Sequence, residues 1–227
     1  MQSSSFATAR KIMVDCQLRP SKVTDRSVLD AFLTIPREEF VGKQQRALAY
    51  VDEDLPLAGG RSLMEPMVLA RLLQALEIRP DDNLLIVGAG CGYGTAVAAK
   101  LAGSVIAIET RTNLVEKAQD VLVSIGIDNA AIVKSRLVDG YPDEGPYNRI
   151  LIEGGVENVP VSLLKQLTPK GRLVAIYRKP GHPVGVASLW TRSGKDFTRT
   201  PLFDARVPNL DEFNAKKIGR ASCRERV

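Results

Sequence analysis

Four glycines, Gly88, Gly90, Gly92 and Gly94, alternate with Ala89, Cys91 and Tyr93 directly after the apolar run Leu84-Leu85-Ile86-Val87, and a helix-like segment follows. The pattern is that of a buried strand, a tight turn and a helix N-terminus. Glycines let the backbone adopt φ > 0 and let a ligand come close to it. The helix N-terminus offers free N–H groups and a positive dipole end to an anionic group. A second apolar run, Val105-Ile106-Ala107-Ile108, ends in Glu109. An acid at the tip of the second strand, about 20 residues after the glycines, is placed to accept hydrogen bonds from a pair of ribose hydroxyls. The chemistry implied is the binding of a nucleoside-containing cofactor.

The glycine spacing bears on which cofactor. The dinucleotide fingerprint is G-x-G-x-x-G, whereas Gly88 to Gly92 form G-x-G-x-G and Tyr93 stands where the dinucleotide pattern wants glycine. A side chain there crowds a pyrophosphate. The loop suits a cofactor without phosphates that ends in an amino-acid carboxylate, and S-adenosylmethionine fits that description. The plainer alternative, a glycine-rich turn with no ligand, leaves the position of Glu109 unexplained.

Other candidate chemistry is weak. His182 is the sole histidine, between Gly181 and Pro183, and reads as a solvated loop residue. Cys91 lies near a helix N-terminus, which lowers a thiol pKa, but a small residue that fits the turn is the simpler reading. No Ser-His-Asp order and no phosphate-binding P-loop is present. Cys16, Cys91 and Cys223 have no metal-ligand spacing, so no metal is expected, and they suit a reducing, cytoplasmic setting.

The 227 residues, 44% hydrophobic and 25% charged, suffice for one sizeable domain with a full core. No apolar run approaches the roughly 20 residues of a membrane helix, and Met1-Gln2-Ser3-Ser4-Ser5 does not open a signal peptide. Residues 218–227 resemble the translation of a sequencing-library adapter. The expected division is a single domain over 1–217 and a non-native tail over 218–227, with the authentic C-terminus missing. Arg220, Arg224 and Arg226 against Glu225 carry two of the five net positive charges. The remaining balance gives no reason to invoke nucleic acid. Removing 218–227 is expected to leave melting temperature and cofactor binding unchanged; a clear loss of stability on deletion would show a packed, native segment.

Those chemical residues need a scaffold. Thr24-Asp25 caps a helix carrying Val28, Leu29, Phe32 and Leu33 and stopped by Pro36. Pro66 suits the first turn of another, with Leu69, Leu72, Leu73 and Leu76 on one side. From Asn83, predicted strands at 84–87, 105–108, 131–134, 149–152 and 173–177 alternate with predicted helices at 95–101, 113–124 and 161–167. Such alternation predicts a parallel sheet with helices on both faces and ligands beyond the carboxyl ends of the strands. Segments 184–190 and 197–202, around Ser193-Gly194-Lys195, predict a hairpin. The expected fold class is α/β; a terminal antiparallel hairpin on an otherwise parallel sheet, behind a helical N-terminal extension, resembles the seven-stranded, Rossmann-like methyltransferase fold.

Several segments resemble the protein-L-isoaspartate O-methyltransferases in order and spacing. They are Met13-Val14-Asp15-Cys16-Gln17-Leu18, Val28-Leu29-Asp30-Ala31-Phe32, Ile35-Pro36-Arg37-Glu38-Glu39-Phe40-Val41 and Ala49-Tyr50-Val51-Asp52-Glu53-Asp54-Leu55-Pro56-Leu57. The glycine loop, Asp139-Gly140, Pro146-Tyr147 and Gly171-Arg172-Leu173-Val174 continue the series, so the resemblance spans residues 11–176. It implies methyl transfer from S-adenosylmethionine to an isoaspartyl carboxylate of a damaged protein or peptide, a protein-repair reaction. By resemblance, Gly88, Gly90 and Gly92 lie against the methionine part of the cofactor, Glu109 holds the ribose hydroxyls, and Asp139 accepts from the adenine amino group. Asp139-Gly140 also reads simply as a turn, and Glu109 as a solvated strand-end acid.

The departures fall on the acceptor side. The family carries T-I-S-x-P, its serine at the methyl-transfer site. Aligned on Pro66, this chain reads Ser62-Leu63-Met64-Glu65-Pro66, so Met64 holds the serine position and Ser62 the threonine position. A thioether donates no hydrogen bond. Glu65 opposes a negative substrate unless Arg61 or Arg71 pairs with it, and an unpaired Arg61 would meet a substrate carboxylate through two hydrogen bonds. Ile86 replaces an acid that helps organise the methionine end, Val138 a glycine, and Asn148 an aspartate. Ser62, Met64, Pro66 and the loop 52–56 are the acceptor-side candidates. Two alternatives stay open: an S-adenosylmethionine-binding protein without isoaspartyl activity, and a methyltransferase with another acceptor. Oligomeric state is not legible.

Overall fold

The computed structural model describes the backbone of residues 2–214 and the side chains of residues 5–214. The tail 218–227 lies outside the described residues.

The N-terminal part is helical. Helix α1 (Gln2–Met13) runs into a π turn, Val14–Leu18, and α2 (Arg26–Thr34) follows. Asp25 caps α2, its carboxylate accepting from Ser27 N at 2.8 Å and Val28 N at 3.2 Å, which satisfies two donors the helix leaves open. Helix α2 stops before Pro36, as the restriction on the residue preceding proline requires. Strands β1 (Leu55–Pro56) and β2 (Ser62–Leu63) form a small antiparallel pair. Helix α3 (Pro66–Leu76) starts at Pro66 and buries Leu69, Leu72, Leu73 and Leu76.

The main sheet holds β3 (Asn83–Val87), β4 (Ser104–Glu109), β5 (Ala130–Lys134), β6 (Tyr147–Val156), β7 (Leu167–Tyr177), β8 (Gly185–Ser193) and β9 (Asp196–Ala205). Their spatial order is β5-β4-β3-β6-β7-β8-β9. Strands β3 to β7 are parallel, and β8 and β9 run antiparallel at one edge. The chain leaves β5 at one side and returns to β6 beside β3, so the order reverses at the β3/β6 boundary. Ligand crevices open at such a point.

One face of the sheet, with Leu84, Ile86, Val105, Ala107 and Leu151, packs on α2, α3, α4 (Tyr93–Ala99) and α5 (Thr112–Ser124). The other face, with Leu85, Val87, Ile108, Ile150 and Ile152, packs on α6 (Val161–Leu164), Leu137 and the C-terminal Leu210 and Phe213. Helices do cover both faces, but unequally. The predicted helix 161–167 is a single turn, because Leu167 already belongs to β7 and pairs with Tyr147. Strand β7 thus begins six residues earlier than expected. Helix α4 starts at Tyr93, two residues early, since Gly92 at φ +86° already forms its N-terminal boundary. Strand β6 runs four residues past the predicted 149–152, and that extension carries Glu153, Gly154 and Gly155.

Candidate active site

The glycine loop follows β3. Gly88 N and Ala89 N donate to Ile108 O at 2.9 and 3.1 Å, which ties the loop to the end of β4. Gly88, Gly90 and Gly92 all lie at positive φ. Gly92 also has a packing reason: a β-carbon there would stand 2.9 Å from Ala118 Cβ on α5. The Tyr93 ring does not face the loop's ligand side. It is fully buried between Phe32 and Phe40, edge-on to both, with the Arg37 guanidinium 4.7 Å above its centroid. The crowding of a pyrophosphate by that side chain is therefore corrected: Tyr93 anchors the loop to the helical layer from below.

Glu109 ends β4 and is fully buried, which excludes the solvated strand-end acid. Arg61 donates to it twice, Nε to Oε2 at 2.9 Å and Nη2 to Oε1 at 2.8 Å. Gly90 N donates to Oε2 at 3.1 Å, and Thr110 N and Arg111 N to Oε1 at 2.7 and 3.1 Å. Burial works against ionisation here, but the Arg61 bonds and charge, with the Arg111 and Thr110 N–H groups, outweigh it and hold the carboxyl below its ordinary range. Such charge-assisted bidentate bonds are strong.

Arg61 has a second acid. Its Nη2 donates to Glu212 Oε1 at 2.8 Å and its Nη1 to Glu212 Oε2 at 3.2 Å. Arg61 is thus neither unpaired nor paired with Glu65, and Arg71 lies 3.6 Å over the Phe203 ring; neither arginine neutralises Glu65 as the sequence allowed. Glu212 belongs to a strap that crosses the carboxyl edge of the sheet. Gly155 N donates to Pro208 O at 2.9 Å and Leu210 N to Gly155 O at 2.8 Å. Leu210 fills the space over the loop, for a β-carbon on Gly88 would meet its Cδ1 at 3.0 Å and one on Gly154 its Cγ at 2.6 Å. Phe213 is fully buried behind it.

The remaining sequence-predicted residues divide. Ser62, in β2, is half-buried, and its carbonyl oxygen lies 3.9 Å from where a Gly90 β-carbon would stand. Met64 is buried at 1% exposure, its carbonyl accepting from Arg37 Nη2 at 2.7 Å. Ser62 therefore flanks the loop, and Met64 is tied to it through Arg37, whose guanidinium lies over the Tyr93 ring. Asp139 does not join them: its carboxylate is exposed and pairs with Arg136 at 3.3 Å, while its carbonyl accepts from Gln166 Nε2 at 2.8 Å. Burial, then the charges of Asp54, Asp52 and Glu53, push Glu65 up to about 7. Burial pushes the Cys91 thiol up to about 12, against the activation a helix N-terminus would give. His182 is exposed. No cluster of three metal-ligating side chains occurs among the described residues.

Sequence reasoning missed Arg37 and Glu153. Arg37 is fully buried, donating Nε to Ala49 O at 2.6 Å and Nη2 to Met64 O, so it fastens the acceptor-side segment to Tyr93. Its signal was the Ile35-Pro36-Arg37 run itself. Glu153 had none beyond its place at a strand end.

A sequence model of the Protein-L-isoaspartate(D-aspartate) O-methyltransferase (PCMT) family matches residues 9–184. The protein-L-isoaspartate O-methyltransferase of Methylorubrum extorquens (strain PA1) is 38% identical over 195 residues, 84% of this chain and 82% of that protein. That of Koribacter versatilis (strain Ellin345) is 37% identical over 212 residues, 91% and 92% of the two chains. A solved protein-L-isoaspartate O-methyltransferase superposes with a TM-score of 0.79 at 24% identity, over 88% of this chain and 65% of that one. A Plasmodium falciparum protein-L-isoaspartate O-methyltransferase in complex with S-adenosyl-L-homocysteine superposes with a TM-score of 0.76 at 19% identity, over 91% and 98%. The two superpositions bear out the fold, and the sequence matches run through the loop, the strand-end acid and the acceptor-side segment alike. On that evidence the chain belongs to the protein-L-isoaspartate(D-aspartate) O-methyltransferase family.

Proposed function

We propose that the chain is an S-adenosylmethionine-dependent O-methyltransferase whose acceptor is an isoaspartyl carboxylate of a damaged protein or peptide. The observation that carries the cofactor reading is Glu109, fully buried at the tip of β4 with Gly90 N–H on one oxygen. Acid and glycine loop are assembled at the switch point of the sheet, where a ribose and its substituent chain would lie. The residues fit the cofactor on two conditions. Arg61 already satisfies Glu109, so a hydroxyl pair must displace at least one of its two hydrogen bonds, and Leu210 must leave Gly88. Both belong to peripheral segments, not to the main sheet, and Glu212 keeps the guanidinium paired when it moves.

Bound there, S-adenosylmethionine supplies an electrophilic methyl group, which an ionised carboxylate oxygen accepts without a base. The chain's own task is alignment and exclusion of water. Arg37 holds the Met64 carbonyl and the Ala49 carbonyl in one place and so fixes the acceptor-side segment against the loop. No helix among the described residues is long and apolar enough to cross a membrane. The reading places the chain in the cytoplasm, with a protein or peptide partner and no nucleic acid.

A second reading, a different acceptor, is favoured by one observation. Glu65 adjoins Met64 and shares its surroundings with Asp52, Glu53 and Asp54, a negative field that opposes a carboxylate. The test is incubation with methyl-labelled cofactor and an isoaspartyl peptide, with the normal aspartyl peptide as control. Weak, isoaspartyl-specific labelling is expected, stronger below pH 7, where Glu65 is protonated, than at pH 8. Bound cofactor with no labelling of either peptide would favour another acceptor or none.

A further inference from the structure

Glu153 is the buried acid to which no role has yet been given. The β3–β6 register pairs Ile86 with Leu151 and Val87 with Ile152, so Glu153 stands just past the last rung, beside the start of the glycine loop. Its side chain lies on the α4 face. A β-carbon at residue 94 would come within 2.4 Å of Oε2 and 2.9 Å of Oε1. The carboxyl thus occupies the space that a side chain at the fourth glycine of the loop would take, against the first turn of α4. The residue is 8% exposed, and Oε2 is buried with no hydrogen-bond partner.

A bare buried carboxyl is costly unless something pairs with it. The cation whose field it feels most, Arg37, does not hydrogen-bond to it: Nε and Nη2 donate to Ala49 O and Met64 O. Burial, against the attraction of Arg37 and with the repulsion of Glu109, raises Glu153 to about 8. The strand order β4-β3-β6 sets Glu109 and Glu153 on either side of the glycine loop. Two strand spacings separate them by roughly 10 Å. A ligand lying on the loop between them would meet a hydroxyl-binding acid at one end and an unpaired acid at the other. S-adenosylmethionine has that asymmetry, a ribose and, along its chain, an α-ammonium.

We infer that Glu153 is a cofactor-binding residue whose carboxylate accepts hydrogen bonds from the α-ammonium of the methionine end. The inference rests on the cofactor reading above. It makes Glu153 specific to the amino-acid part of the ligand and indifferent to the adenosine part.

Two ligands separate those parts. S-adenosylhomocysteine keeps the ammonium; 5′-methylthioadenosine lacks the whole amino-acid end. Binding of each to the full chain is measured by calorimetry, for the unmodified protein and for Glu153→Gln, with Glu153→Asp as a variant that keeps the charge. Glu153→Gln should weaken S-adenosylhomocysteine at least tenfold and leave 5′-methylthioadenosine within about twofold; Glu153→Asp should lose less. Heats in two buffers at pH 7 give a second readout. The titratable and charged groups that act on Glu153 are Arg37, Glu109 and Cys91. Burial raises the Cys91 thiol to about 12 and Glu109 is held below its ordinary range, so the proton released on S-adenosylhomocysteine binding is expected from Glu153 and disappears in Glu153→Gln. Parallel weakening of both ligands would reduce Glu153 to a structural role and overturn the inference, as would unchanged S-adenosylhomocysteine affinity. Unmodified protein that binds neither ligand would remove the cofactor reading itself.

Discussion

Arg61→Ala should lower stability by about 3–5 kcal/mol, because it strands Glu109 as a buried charge without its cation. For a chain of this size that is a fall in melting temperature on the order of 10 °C. Glu109 is fully buried and Arg61 nearly so, so solvent cannot replace the lost pair. The pH dependence follows from the sign of the shift. Glu109 has a folded-state pKa below its ordinary value; its contribution is full above the unfolded carboxyl range and is lost as pH falls through the folded value. Glu212 is shifted the same way by the same guanidinium. Arg61→Ala should therefore flatten the acid limb of the stability curve as well as lower its plateau. S-adenosylhomocysteine should restore more melting temperature to the variant than it adds to the unmodified protein, since ribose hydroxyls then meet an unpaired Glu109. Differential scanning calorimetry with and without ligand decides it. An unchanged melting temperature would mean that the Glu109–Arg61–Glu212 cluster does not hold the strap.

The second large effect is on rate. Isoaspartyl methylation should rise about ten- to a hundredfold in Met64→Ser, the gain from one hydrogen bond to a charged group, about 1.5–3 kcal/mol, felt in the transition state. Met64 is buried at 1% exposure, so the same substitution opens a cavity and costs stability, of the order seen for methionine-to-alanine changes, about 2–5 kcal/mol. Rates must be compared on folded protein with cofactor binding checked. Full activity of the unmodified chain would show that Met64 does not disable the site. No gain from Met64→Ser, with binding intact, would show that the acceptor side has diverged further, in keeping with the acids around Glu65.

The sheet was legible because its strands are apolar runs punctuated by glycine and turn residues. The loop and Glu109 were legible because their spacing is local and fixed by one strand–helix–strand unit. Boundaries failed where tertiary pairing overrode pattern: α6 shortened because Leu167 pairs with Tyr147. The partners of Glu109 were not legible at all. Arg61 lies 48 residues before it, and Glu212 lies 151 residues after Arg61; nothing in local spacing announces contacts at that range. Glu153 was hidden for the opposite reason. It stands one residue past the predicted strand 149–152, and only the register beside β3 sets it next to the loop. Asp139 keeps the motif position, and its exposed carboxylate pairs with Arg136 three residues before it, a contact that local spacing alone allows.

The central claim is that the loop and Glu109 form an S-adenosylmethionine site. Equilibrium binding of S-adenosylmethionine and of NAD to the full chain, repeated on Glu109→Ala, tests it most directly. The account predicts binding of S-adenosylmethionine and not of NAD, and a loss of about tenfold or more in Glu109→Ala, since each charge-assisted hydrogen bond is worth about 1.5–3 kcal/mol. Tighter binding of NAD, no binding of either, or an unchanged dissociation constant in a folded Glu109→Ala would contradict it.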